Sequence, residues 1–218
     1  MTDGLRAAIL AAADAIDAAR GELGALDGAA GDGDHGMTMS IGARNVRRRF
    51  ATLPEDAPDA DLVRAAASAM GGVGGAIGPL YAAALGAIAA ELDRDTGGEP
   101  GIAIARGAAQ AAEAAVVRLG HAAVGDKTVL DALHPLAESL RDSEAAGRPR
   151  SEALAHAVKA ADAGVAETAG MIARIGRASR LGERSRGQPD AGARSFAIIV
   201  RALVDWTGQG GVGEDRPA

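Results

Sequence analysis

Three carboxylates fall within one short stretch, Leu26-Asp27-Gly28-Ala29-Ala30-Gly31-Asp32-Gly33-Asp34-His35-Gly36-Met37-Thr38. Like charges this close repel. A hard divalent cation such as Mg²⁺ relieves the repulsion, because it takes carboxylate oxygens and keeps other positions for water or phosphate. The glycines let the chain bend tightly enough for Asp27, Asp32 and Asp34 to converge. An EF-hand is excluded, since the twelfth position is Ala43 counted from Asp32 and Thr38 counted from Asp27, so the bidentate glutamate is missing. Taken alone, the same residues also read as a solvated Asp-Gly turn capping the next helix. The residues directly after the acids strengthen the metal reading. The backbone N–H groups of His35, Gly36, Met37 and Thr38 open a helix there, and helix starts attract phosphate. Acids for a cation beside amides for phosphate oxygens is what a metal–nucleotide complex requires.

Three further segments carry possible chemistry. Gly71-Gly72-Val73-Gly74-Gly75-Ala76-Ile77-Gly78 lacks side chains at five of eight positions, which suits either backbone approach to a ligand or close helix packing. It is no dinucleotide fingerprint, because Ile77 stands where the last glycine belongs and no strand precedes it. Gly120-His121-Ala122-Ala123-Val124-Gly125-Asp126-Lys127-Thr128 approximates a phosphate-binding P-loop but has Asp126 before the lysine and a helical segment ahead of it. From these residues alone it reads as a helix cap with a solvated lysine. Gly176 to Gly192 places Arg177, Arg180, Arg184 and Arg186 in one irregular stretch, and arginine forks suit phosphate or carboxylate. Arg180 and Arg186 individually read as solvated charges. His121, His134 and His156 are isolated and read as surface or core residues.

The elements that must position these segments are helices. The chain has 218 residues with 55 alanines, 31 glycines and only four aromatics (Phe50, Tyr81, Phe196, Trp206). Alanine is the best helix former and a weak strand former, so closely packed helices are expected and a β-sandwich or barrel is not. Apolar periodicity predicts helices from Thr2 or Asp3 to about Ala19, Met37–Phe50, Asp59–Met70, Pro79–Leu92, Ile102–Leu119, Val129–Glu144, Ser151–Ile175 and Ala193–Trp206. Gly28–Gly36, Gly120–Thr128 and Arg177–Gly192 are predicted loops, and Thr96–Gly101 a turn. One domain over residues 1–206 with a disordered tail over 207–218 is expected. The net charge of −6 disfavours a general attraction to nucleic acid or an anionic membrane. The absence of cysteine excludes disulfides and thiolate chemistry. No signal peptide or spanning segment is evident, and a cytoplasmic location is expected.

The ordered set LDGAAGDGDHG, GGVGGAIGP, GDKTVLDALHP and GRASRLGERSRGQPDAGA resembles the nucleotide-binding L subunit of dihydroxyacetone kinases, the DhaL or DAK2 domain. The resemblance spans about Leu5 to Val204. It implies an all-α barrel of about eight antiparallel helices with the nucleotide at one end. By motif, Asp27, Asp32 and Asp34 resemble the aspartates that bind two Mg²⁺ ions bridging the phosphates of ADP or ATP. His35, Gly36, Met37 and Thr38 then correspond to the phosphate-facing backbone and side chains. Ala76 and Ile77 correspond to the glycine-rich loop that contacts the phosphates. Gly120, Val129, Arg177 and Pro189-Asp190-Ala191 look like the surroundings of the nucleoside. Two positions depart from the pattern: Ile77 stands where relatives can carry serine, and Thr38 where they can carry asparagine. The resemblance implies phosphoryl transfer to dihydroxyacetone or a related short ketose such as erythrulose, held by a separate DhaK-like subunit through a histidine of its own. It leaves open whether ATP exchanges freely or bound ADP is recharged by a DhaM-like phosphotransferase-system subunit. A homodimer is expected, with no nucleic-acid or membrane partner. The ATP-binding part of a fatty acid kinase, which shares this domain, and a non-enzymatic nucleotide-bound coregulator are the alternatives.

Overall fold

The computed structural model describes residues 2–94 and 101–209. Nine α-helices and one 3₁₀ segment are present there, and no strand: α1 (Thr2–Ala18), α2 (Arg20–Ala30), α3 (His35–Phe50), α4 (Asp59–Gly71), α5 (Ile77–Leu92), α6 (Ile102–Gly120), α7 (Leu130–Ala145), α8 (Arg150–Thr168), the 3₁₀ segment (Arg177–Ser185) and α9 (Ala191–Gln209). Local chemistry sets several boundaries. Pro58 and Pro149, with φ near −55°, precede α4 and α8, and acidic residues in the first turns (Asp59 and Asp61, then Glu152) complement the helix dipole. Within α7, Pro135 has no N–H to offer the Asp131 carbonyl. Gly164 of α8 packs directly against that carbonyl, where a Cβ would collide with it.

The helices form a closed ring. Each of α3 to α9 packs on its predecessor in the ring, α3 follows α1, and α9 closes on α1. Cross-helix pairs show the antiparallel order, with Arg6 near the start of α1 donating to the Phe50 carbonyl at the end of α3, Arg64 meeting Asp93, and Arg106 meeting Glu144. The expected eight-helix antiparallel barrel is therefore present, and α2 is a ninth helix that continues α1 past a bend at Ala19 and leans on α3, α9 and the 3₁₀ segment. Small side chains line the seams: Ala132, Ala153, Ala157, Ala161, Ala193 and Ala197 are at most 2% exposed, so neighbouring backbones approach closely. Because the ring helices alternate in direction, every second connection lies at one end. The 31–34, 72–76, 121–129 and 169–190 connections share that end, which gathers all four segments singled out in the sequence.

Several expected boundaries shift. The first loop shrinks to Gly31–Asp34, because α2 runs through Gly28 to Ala30 and carries Asp27 on a helix. α5 starts at Ile77, ahead of Pro79, which is tolerated in a first turn where its N–H has no partner to lose. α8 stops at Thr168 and not at Ile175. Arg177–Ser185 is a 3₁₀ segment and not an irregular loop, broken at Gly182 with φ 53°. α9 extends to Gln209, past the expected end at Trp206. The predicted turn at Thr96–Gly101 falls mostly on 95–100, and the predicted tail mostly on 210–218, both outside the described residues.

Candidate functional site

Asp27 projects from the last turn of α2, and Asp32 and Asp34 from the connection to α3. One carboxylate oxygen from each lies within 4.8 Å of the others. Glycine makes this convergence possible. Gly33 has φ 77°, a conformation that costs a residue with a Cβ. A Cβ on Gly31 would press on the Asp27 carboxylate, and one on Gly36 would collide with the Arg20 carbonyl of α2. The two helices thus meet at backbone distance, with the acids at their junction. The donors are all oxygen, and the Asp32 and Asp34 side chains are about half exposed, which leaves room for water or phosphate oxygens. That donor set suits a hard cation such as Mg²⁺.

The charge is balanced from the opposite wall. Arg177, the first residue of the 3₁₀ segment, is ion-paired with Asp32 and with Asp34, the latter at 3.1 Å. The start of α3 is partly satisfied by the protein itself. His35 N–H donates to Asp27 Oδ2 at 3.1 Å and Thr38 N–H donates to the Asp34 carbonyl at 2.9 Å. Of the four amides expected to be open, two are engaged, and those of Gly36 and Met37 have no protein acceptor among the described residues. The reason is that Asp34 begins the helical bonding, one residue ahead of the first helical position.

The His35 side chain turns inward. Its Nε2 lies 3.0 Å from Ser195 Oγ on α9, and Tyr81 of α5 reaches the same hydroxyl at 3.5 Å. Burial pushes the imidazole below its ordinary value, opposed by the nearby Asp27 and a hydrogen bond at the Ala191 backbone. Burial likewise pushes the Tyr81 phenol up to about 12. His35 is therefore a strut between α3 and α9. Sequence reasoning missed Tyr81 and Ser195, since nothing local marks a partner 160 residues away.

Asp190 opens α9. Its Oδ2 accepts the Ala193 N–H at 2.8 Å, and its own N–H donates to Thr168 Oγ1 at 2.8 Å. Desolvation pushes the carboxyl up to about 6, against the pull of the Ala193 amide and of Lys127. Val129 precedes α7 and is buried beside Gly192, with Pro189 and Ala191 adjoining. Ala76 and Ile77 start α5, and Gly120 ends α6 next to Leu80. The Ile77 side chain packs on the core formed by Leu23, Met39 and Met70, so that position offers backbone and no side-chain polar group.

Lys127 departs from expectation. It is 4% exposed and not solvated, and its ammonium donates to the carbonyls of Thr168 (2.9 Å), Gln188 (2.7 Å) and Met171 (3.5 Å). The connection before α7 is shaped by Asp131, whose carboxylate accepts the Gly125 N–H at 2.5 Å and the Thr128 N–H at 2.7 Å. The Thr128-x-x-Asp131 spacing is the sequence signal for that cap. The two 530 Å³ recesses lie away from the acids, one at the α3–α4 connection on the opposite end and one along α7 and α8.

The family model of the DAK2 domain matches residues 29–205. The chain belongs to the DAK2 domain family. This DAK2 domain is 35% identical over 192 residues to the "PEP-dependent dihydroxyacetone kinase 2, ADP-binding subunit DhaL" of Listeria innocua, covering 87% of this chain and 88% of that protein. It is 40% identical over 197 residues to a D-erythrulose kinase of Mycolicibacterium smegmatis, covering 89% of this chain and 34% of the relative. The chain thus spans about a third of the length of the erythrulose kinase relatives it matches. Its fold matches the dihydroxyacetone kinase of C. freundii in complex with AMP-PNP and Mg²⁺, at a TM-score of 0.70 and 23% identity over 92% of this chain and 33% of that one. Among the described residues, no helix is long and apolar enough to cross a membrane.

Proposed function

We propose that this DAK2 domain holds Mg-ADP or Mg-ATP at the α2–α3 junction and passes a phosphoryl group to dihydroxyacetone or a short ketose such as erythrulose, presented by a DhaK-like subunit or domain. The observation that carries this reading is the convergence of Asp27, Asp32 and Asp34 beside the open amides of Gly36 and Met37. The names of the relatives, an erythrulose kinase and an ADP-binding DhaL subunit, support it.

In this reading the three aspartates hold the cation, two Mg²⁺ ions being the number proposed. The metal, when bound, neutralises charge on the transferring group. The amides of Gly36 and Met37, flanked by His35 and Thr38, receive phosphate oxygens at the positive end of α3. The backbone at Ala76 and Ile77 closes the phosphates from the α5 side. Gly120, Val129 and Pro189-Asp190-Ala191 surround the nucleoside. Arg177, released from Asp32 and Asp34 when a cation neutralises them, turns its fork to the nucleotide. The His35 imidazole faces Ser195 and not the opening, so the acceptor hydroxyl is positioned by the partner.

Titration calorimetry tests the binding half. ADP should bind the wild type in Mg²⁺, and Asp32→Ala and Asp34→Ala should weaken binding at least a hundredfold while circular dichroism stays helical. Equal affinity in either variant would overturn the site. Transfer from ATP to dihydroxyacetone or erythrulose in the presence of a DhaK-like partner tests the chemical half. Turnover on ATP alone, against turnover only with a DhaM-like donor, separates the two modes of supply.

A further inference from the structure

Lys127 is a buried cation that the proposed nucleotide site leaves unused, although it lies at the same end of the barrel. Its backbone adopts φ 62°, a conformation that residues with a Cβ rarely take and that persists only where the surroundings hold it. Its ammonium donates to carbonyls at both ends of the 169–188 segment: Thr168, the last residue of α8, with Met171 close by, and Gln188, two residues before Asp190. The same segment is stitched at its base by Gly187 N–H to the Ala169 carbonyl at 2.8 Å and by Ala173 N–H to Ser185 Oγ at 2.9 Å. Between those ends lies Arg177, on Asp32 and Asp34, and the ends themselves lead into Asp190. One buried cation therefore joins the two feet of the loop that carries Arg177 to the acids.

We infer that Lys127 is a positioning residue that clamps the feet of the 169–188 loop and thereby sets how long a nucleotide stays bound. The inference rests on the nucleotide reading of the site for its second half, and on hydrogen-bond geometry alone for its first. Removing the ammonium frees three carbonyls and loosens the loop, so Arg177 is presented less often to the nucleotide bound beside the acids, while the eight-helix ring, whose core clusters do not include Lys127, keeps its packing.

The test compares the wild type with Lys127→Met, which keeps the stem and loses the donors, and with Lys127→Gln, which keeps an amide donor and serves if the first variant fails to fold. Limited trypsin digestion without nucleotide reads the clamp: cleavage after Arg177, Arg180, Arg184 and Arg186 should be at least tenfold faster in the variant. Stopped-flow release of a fluorescent ADP from the Mg²⁺ complex reads the consequence, expected to be tenfold faster or more with the melting temperature within a few degrees of wild type. Unchanged cleavage in a folded variant overturns the clamp. Faster cleavage with an unchanged release rate overturns the link to nucleotide residence. Failure of the wild type itself to bind Mg-ADP overturns the site reading instead, and the digestion still decides whether Lys127 clamps the loop.

Discussion

Arg177 is ion-paired with Asp32 and Asp34, so a cation bound at the proposed site would compete with the guanidinium for the same carboxylates. Arg177→Ala should therefore raise the affinity for bare Mn²⁺ or Mg²⁺ several-fold while lowering that for ADP, and titration of metal and nucleotide separately checks both signs. Asp190 offers a second residue-scale prediction. Its carboxyl, raised from 3.8 to about 6 by desolvation, keeps a proton in the folded state that the unfolded chain has already lost in this window. Its contribution to stability therefore falls as pH rises from about 4 to 6 and is level above that. Denaturant melts of wild type and Asp190→Asn at pH 4 and pH 7 should show the wild type losing on the order of 2–3 kcal/mol relative to the variant across that span. The three aspartates were legible from sequence because like charges so close together demand a reason. The buried setting of Lys127 was not, since its three acceptors are backbone carbonyls, which carry no residue-specific signal, and they stand 41 to 61 positions away.

At the scale of the element, the α2–α3 junction is the part most exposed to a single methyl group. A Cβ at Gly36 would collide with the Arg20 carbonyl and press on the Gly24 amide. Gly36→Ala should cost roughly 1–3 kcal/mol through backbone displacement, read by chemical denaturation, and should weaken metal binding by spreading Asp27 from Asp34. Most helices were legible because alanine-rich apolar stripes repeat at the helical period. α2 was not: Gly21, Gly24 and Gly28 look like a helix breaking down, whereas Gly24 and Gly28 form the face on which the loop and α3 pack. The 169–190 connection was misread for the converse reason. Its first part, to Ile175, continues the apolar period of α8 without being helical, the rest has none, and its order comes from Lys127, Ser185 and Gly187 reaching across the loop.

For the whole molecule, ring closure explains why four segments far apart in sequence meet. With eight ring helices of alternating direction, motifs placed at every second connection must gather at one end, whatever the detail of each loop. The eight ring helices and their order were readable from periodicity while α2 was not, and the closing of α9 on α1 came from the resemblance and not from the pattern itself. The decisive measurement is a crystal structure grown with Mn²⁺ and a non-hydrolysable ATP analogue, with the metal located by its anomalous signal. Manganese is expected about 2 Å from oxygens of Asp27, Asp32 and Asp34, with phosphate density at the Gly36 and Met37 amides. Anomalous signal absent from that junction, with Arg177 still seated on Asp32 and Asp34, would contradict the magnesium–nucleotide site.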